Sequence, residues 1–494
     1  MKNKSKPLLK GAVLTTLITL SAPGSALDKP QTMEDMWKII QAQQKQIDEM
    51  KAGMNSASSK AVNGNVEKPA NKVTASNEQN SENKVAAGNV QNSENKIADS
   101  NVKNLERKTD ILSQEVEKLR TNLAIPDEVK YKSAYGLGPA ASKVYQVGKG
   151  LSIGGYGEAN YQKIVSDKGN AKDNADYERL VMYVGYKFTD RILFNSEIEF
   201  EHGSTAEGGS VSVEFAALDF FIDPMVNART GMVLLPMGFL NQIHEPPFYF
   251  GNNRPEVERR IIPTTWREIG VGLFGAITPN LTYTGYVING LDAQGFNSNG
   301  IRDGRQNGGQ ALAENLGYVA RMDYTPDALP GVSVGTSAYL GNSGQDLNYK
   351  GKTPNVFTQL YEGHVQWKYR GLEFRTLGSW GHINDAGILS AYKGQTVGSA
   401  NYGRYTEIGY DVLPLVFKDT PQYLAPFFRY EQYDTIASTP SGYKDNQNLD
   451  REIFQVGLQY KPIPNVVIKA DYRNFSAQKG SVPDDFNLGF GFIY

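Results

Sequence analysis

No cysteine occurs among the 494 residues, so no disulfide staples this chain. An exported protein of this length must then be held by a large core or by a closed barrel. Tryptophan is scarce, at 4, whereas glycine (50) and tyrosine (28) are plentiful. Glycine and tyrosine on short alternating strands suit a barrel with aromatic girdles, although a tyrosine-rich soluble β protein shares that bias. Charge of one sign is also missing. Lys+Arg total 51 and Asp+Glu 53, a formal net charge of −2, which argues against a generic nucleic-acid binder and leaves local charge open. After the N-terminal segment no apolar run approaches the ~20 residues of a spanning helix, so any passage through a membrane must use a barrel. The four histidines, His202, His244, His364 and His382, lie in no short catalytic motif. No zinc-type histidine spacing, phosphate loop or dinucleotide fingerprint is present. The expectation is therefore no enzyme, no cofactor and no metal.

The first 130 residues read as export and assembly segments. Residues 1–26 have the plan of a secretory signal: Lys2, Lys4, Lys6 and Lys10, an apolar core from Gly11 to Leu20, then small residues ending at Ala26. Over 27–55, Met33, Met36, Ile40, Gln43, Ile47, Met50 and Met54 are spaced by threes and fours, the seam of a coiled coil. Residues 56–103 form a low-complexity spacer with a period of twelve, carried by Lys60, Lys72, Lys84 and Lys96. Its few large apolar residues do not support a packed core. A second seam over 104–125 runs through Leu105, Leu112, Val116, Leu119 and Leu123, and Pro126 closes it. Each seam is short, so the two together suggest one oligomeric stalk.

The last domain expected spans 131–494, and from Leu151 onward the period changes to two. Leu180, Met182, Val184, Tyr186 and Phe188 share one face, and Arg179 and Lys187 the other. Ile192, Phe194, Ile198 and Phe200 oppose Asn195, Glu197, Glu199 and Glu201. A soluble sandwich would show the same alternation. Three features favour a barrel. The strands are mostly about ten residues long, as a tilted transmembrane strand requires. Short connections such as Thr189-Asp190 alternate with long ones such as 163–176, 236–265 and 290–314. The chain ends with Phe486, Leu488, Phe490, Phe492 and Tyr494 on one face, an apolar last strand closing on an aromatic. The fold expected is an all-β transmembrane barrel of about sixteen antiparallel strands, wide enough for an aqueous channel. It would sit in the outer membrane of a Gram-negative cell, against lipid, with the stalk in the periplasm, where peptidoglycan is within reach. A trimer is the expected assembly.

The connection 236–265, between the fifth and sixth strands, is rich in proline and aromatics. Phe248-Tyr249-Phe250 and Ile261-Ile262 would expose much apolar area on a surface loop, so this third loop should fold into the barrel and constrict it.

The run from Gly238 to Gly275 resembles the phosphate-selective porin O and P family, above all in His244-Glu245-Pro246 and in Arg260-Ile261-Ile262-Pro263-Thr264-Thr265-Trp266-Arg267-Glu268-Ile269-Gly270. Ser142-Lys143-Val144-Tyr145, Glu407-Ile408-Gly409-Tyr410-Asp411 and Arg429-Tyr430-Glu431-Gln432-Tyr433-Asp434 match in the same order. The stalk resembles the DcaP-like branch. The resemblance implies a sixteen-stranded trimeric porin whose basic side chains select small anionic solutes. Motif position points to Arg254, Arg259, Arg260 and Arg267. Strand parity adds Arg179, Arg229, Arg321, Arg375, Arg429 and Arg473. A narrow wet pore focuses the field of such charges, and guanidinium binds carboxylate or phosphate through two parallel hydrogen bonds. The same stretch also carries Glu245, Glu256, Glu258 and Glu268, so its formal charge from Asn241 to Glu268 is zero. Some arginines should then serve as internal ion pairs, Arg267 beside Glu268 among them. Organic carboxylates fit this pattern at least as well as phosphate. A non-conducting tether or adhesin, and more remotely a barrel hydrolase, are the competing classes.

Overall fold

In the computed structural model, residues 132–494 are described apart from 168 and 204–207, together with residue 108. The signal segment 1–26, the seams over 27–55 and 104–125 and the spacer 56–103 lie outside the described residues, save for Lys108.

Sixteen strands follow one another: β1 Gly150–Ser166, β2 Asn174–Thr189, β3 Ile192–Glu201, β4 Ser210–Asp223, β5 Val226–Leu234, β6 Arg267–Thr278, β7 Leu281–Asn289 and β8 Leu316–Tyr324. The second half comprises β9 Val332–Asn342, β10 Phe357–Tyr369, β11 Leu372–Ile383, β12 Ala400–Tyr410, β13 Tyr423–Ser438, β14 Asp450–Ile463, β15 Val466–Ala477 and β16 Asp484–Ile493. Each pairs antiparallel with its neighbour, and β1 pairs with β16, so the sheet is a closed barrel with no free edge. Closure satisfies every strand within the sheet, which a lipid environment requires.

Alternation sets the two faces. Leu180, Met182, Tyr186 and Phe188 point outward and are exposed, whereas Arg179, Val181 and Tyr183 point inward and are buried. One end carries mostly tight turns, such as that joining Thr189 to Ile192, where the Thr189 hydroxyl accepts from the Ile192 N–H at 3.1 Å. A longer connection at that end, between β12 and β13, holds the short helix Leu413–Val416. The other end carries the long loops. Outward aromatics mark the apolar belt, with Trp367 and Tyr369 stacked at 6.3 Å near the turn end.

The lumen is filled in large part by two inserted segments. The third loop, between Leu234 and Arg267, folds inward as its apolar content implied. Leu235, Met237, Ile261, Ile262 and Trp266 are at most 1% exposed, and fully burying a side chain of this kind contributes about 1.5–3 kcal/mol. The loop is drawn tight at its neck, where Asn241 Nδ2 donates to Leu235 O (2.7 Å) and Trp266 O (2.9 Å). A second insertion precedes β1. Residues 132–149, with a 3-10 turn at Ala141–Tyr145, enter the lumen against the inward residues Tyr156, Val181, Tyr183 and Phe215. Gly185 makes room for this strap, because a Cβ there would meet Val144 Cγ2 at 2.6 Å.

Candidate functional site

The six wall arginines named from sequence point inward, and most of them mount the third loop or the strap. Arg375 Nη2 donates to Phe248 O at 2.6 Å, and Arg429 Nη2 to Phe250 O at 2.6 Å. Arg321 donates to Gly238 O and pairs with Asp323. Arg229 holds Asp219 at 2.6 Å and reaches the strap through Tyr135 O and the Tyr145 hydroxyl. The loop's carbonyls thus find donors on β8, β11 and β13, which answers the cost of burying peptide groups away from water. Arg179 lies among Glu158, Glu178 and Glu199. Arg473 pairs with Asp485 at 2.6 Å.

The loop's own arginines divide differently. The short helix α1, Glu256–Arg260, places Glu256 between Arg259 (2.8 Å) and Arg260 (3.1 Å). Burial alone would raise the Glu256 carboxyl, but Arg259, Arg473 and Arg260 outweigh it and hold it down to about 2. Arg267 does not pair with its neighbour Glu268 as its position suggested. It reaches Glu214 on β4 at 3.0 Å, while Glu268 accepts from Asn289 at 2.6 Å.

On the long-loop side of the inserted loop lies a cavity of about 570 Å³. Seven arginines line it (Arg179, Arg254, Arg259, Arg267, Arg302, Arg305 and Arg473), against the carboxylates Asp176, Glu178, Glu199, Glu201 and Glu214. Five of the seven come from the expected set. Arg229, Arg260, Arg321, Arg375 and Arg429 do not line it, and Arg321 instead lines a second cavity of about 490 Å³ on the turn side.

Arg302 and Arg305 were not singled out by sequence. They sit in the next loop, between β7 and β8, and donate to backbone carbonyls of the third loop: Arg302 to Arg259 O and Thr264 O, Arg305 to Pro263 O and Thr265 O. Neither forms an ion pair with a carboxylate among the described residues, and nor does Arg254. Arg254 spends one N–H on the Thr265 hydroxyl (3.1 Å) and leaves Nε and Nη2 buried without a partner. Burial, and then repulsion from Arg305, Arg259, Arg254 and Arg260, push Arg302 down to about 9. Burial and Arg267 push Arg305 down to about 10. At neutral pH the cluster stays positive and incompletely balanced, an arrangement that attracts an anion.

No histidine stands alone. His202 meets Asp176 at 2.7 Å, His364 meets Glu362 at 2.5 Å, and His382 stacks on Trp380 with ring centroids 6.0 Å apart. His244 lies between Glu197 and Glu214.

No protein-family model matches the chain. An uncharacterized protein of Aquifex aeolicus (strain VF5) is 39% identical over 372 residues, which cover 72% of this chain and 82% of that protein. Among solved structures, an anion-selective porin from Comamonas acidovorans superposes with a TM-score of 0.47 at 10% identity, covering 70% of this chain and 99% of the other. The outer membrane channel DcaP of Acinetobacter baumannii gives 0.45 at 13% identity, over 70% and 97%. A loop-deletion mutant of OmpT, an outer membrane protein of Vibrio cholerae, gives 0.47 at 9% identity, over 70% and 100%.

Proposed function

This chain belongs to the same family as the uncharacterized Aquifex aeolicus protein, and we propose that it is an outer-membrane porin through which small hydrophilic solutes diffuse passively, anions by preference. The observation that carries the reading is the trio Arg254, Arg302 and Arg305, which lines the loop-side cavity and has no carboxylate partner among the described residues. Low-dielectric walls strengthen the field of such charges, and a solute carrying carboxylate or phosphate offers acceptors to guanidinium groups that line the cavity. Arg179, Arg259, Arg267 and Arg473 lend their field to the same cavity, each partly offset by an acid. Of the other arginines named from sequence, Arg229, Arg260, Arg321, Arg375 and Arg429 act in this reading by holding the loop and strap in place.

The apolar outer face fits lipid, and the short turns fit the periplasmic side, with the N-terminal stalk below. Three copies together, joined by the stalk seams and within reach of peptidoglycan, agree with the seam spacing and with the resemblance to the phosphate-selective porin O and P family. Carboxylates and phosphate-type anions are both admitted, because guanidinium recognises either. No catalytic step belongs to this reading.

Liposome swelling tests it. Vesicles holding the purified protein should swell in isotonic small solutes, faster for small than for large ones. Folded protein that permits no swelling would turn the reading toward a non-conducting tether.

A further inference from the structure

Three side chains at the root of the inward loop meet where the anion path makes no use of them. Glu197 on β3, Glu214 on β4 and His244 of the third loop each bring one ligand atom within 4.8 Å of the others, and all three are buried. His244 Nδ1 donates to Asn241 O at 3.3 Å. That bond fixes the ring and turns Nε2 toward the carboxylates, an orientation common to metal-binding histidines.

The distances suit an ion as well as a plain salt bridge. Nε2 stands 3.2 Å from Glu197 Oε1 and 3.5 Å from Glu214 Oε2. A charge-assisted N–H to carboxylate bond closes to about 2.7–2.9 Å. Two ligands each ~2.0–2.1 Å from a tetrahedral zinc lie about 3.3 Å apart, close to both Nε2–oxygen distances here. Glu197 Oε2, Glu214 Oε2 and the Tyr156 hydroxyl are buried and find no hydrogen-bond partner among the described residues. The Tyr156 ring packs edge-on to His244, with centroids 5.9 Å apart.

We propose that Glu197, Glu214 and His244 form a divalent-cation site of zinc type that fastens the root of the inward loop to β3 and β4. One imidazole and two carboxylates suit zinc, whereas calcium and magnesium call for six or more oxygens. Glu214 also lines the loop-side cavity, so water there supplies the fourth ligand and the ion its way in. Arg267 holds the other Glu214 oxygen at 3.0 Å. It orients that carboxylate, and its charge keeps the affinity below that of an all-anionic site. Binding displaces the proton that Nε2 otherwise shares with the carboxylates, and that proton passes to solvent, one per ion. The site stands whether or not the pore prefers anions.

The test uses the full-length protein in detergent, stripped with chelator and reloaded with zinc chloride. One zinc per chain should be retained and the thermal midpoint should rise. Glu197→Gln, which preserves shape and hydrogen-bonding capacity, should weaken zinc binding roughly tenfold or more. His202→Gln, at the exposed pair with Asp176, should leave it unchanged. Cobalt(II) added to the unaltered protein should show the intense visible absorption of a tetrahedral site. Absence of that absorption, substoichiometric zinc, or equal retention by Glu197→Gln and the unaltered protein would overturn the proposal.

Discussion

Arg429 Nη2 and Glu407 Oε2 meet at 2.8 Å across neighbouring strands inside the barrel, with both side chains 1% exposed. The same guanidinium donates to Phe250 O at 2.6 Å and to Gln455 Oε1 at 2.7 Å. It ties the tip of the inserted loop to the wall. Removing one partner of a buried pair costs about 3–5 kcal/mol when the other charge is left uncompensated, but here Arg375 still faces Glu407 at 3.3 Å. Arg429→Met should therefore lower resistance to denaturant, by less than that full amount, read from the unfolding midpoint of the detergent-solubilised barrel. Arg429→Met with Glu407→Gln should recover part of the loss. A variant of full stability with altered ion preference would place Arg429 in the solute path instead.

The arginines of the two loops should behave in the opposite way. Arg302→Gln with Arg305→Gln removes two positive charges that form no ion pair with a carboxylate among the described residues, so the anion-to-cation permeability ratio should fall roughly severalfold. Arg260→Gln alters a residue paired with Glu256 and absent from the cavity lining, and should change the ratio little. Ion substitution in planar bilayers compares the three proteins directly.

An unbalanced cationic cluster should also respond to anions in a stability assay. A ligand held only by the folded state stabilises by about 2.7 kcal/mol at a hundred times its dissociation constant. The thermal midpoint should rise with added phosphate or a small dicarboxylate. Phosphate also strengthens apolar burial in general, so the meaningful quantity is the difference from Arg254→Gln, which should show only the general rise. Identical curves would count against the cluster as a binding site.

The strap depends on Glu245, whose carboxylate accepts from the Ala140 N–H at 2.9 Å and the Ala141 N–H at 3.3 Å. Glu245→Ala leaves those donors buried without partners, at a cost of about 1–3 kcal/mol. The segment should loosen in the lumen, and single-channel conductance should rise. Unchanged conductance with a lower unfolding midpoint would mean that the strap holds the wall without narrowing the passage.

Much of this architecture is legible in the chain because strand parity is a local property. The step of two from Leu180 to Phe188 already separates the outer face from the lumen, and the same parity on the other strands puts Arg179, Arg229, Arg321, Arg375, Arg429 and Arg473 on the inner face. The inward turn of the third loop follows from its apolar load at Phe248-Tyr249-Phe250 and Ile261-Ile262. Ion pairing is not local. Arg267 looks like a partner for Glu268 along the chain, yet it pairs with Glu214 on β4, 53 residues away. Arg302 and Arg305 went unnoticed because nothing in a loop between β7 and β8 signals that it will lie against the third loop. The strap was equally hidden: Ser142-Lys143-Val144-Tyr145 could be matched to a family, but its place in the lumen rests on contacts with Glu245 and Asp219, 74 or more residues away. The Glu197, Glu214 and His244 cluster draws on three separate elements and leaves no spacing to recognise.

The most direct test of the anion reading is the reversal potential of the purified protein in a planar bilayer under a salt gradient, measured before and after replacing Arg254, Arg302 and Arg305 together with glutamine. The account predicts a potential of the sign set by anion preference, collapsing toward zero in the triple variant. A cation-selective potential, or an anion preference that survives the triple replacement, would contradict it.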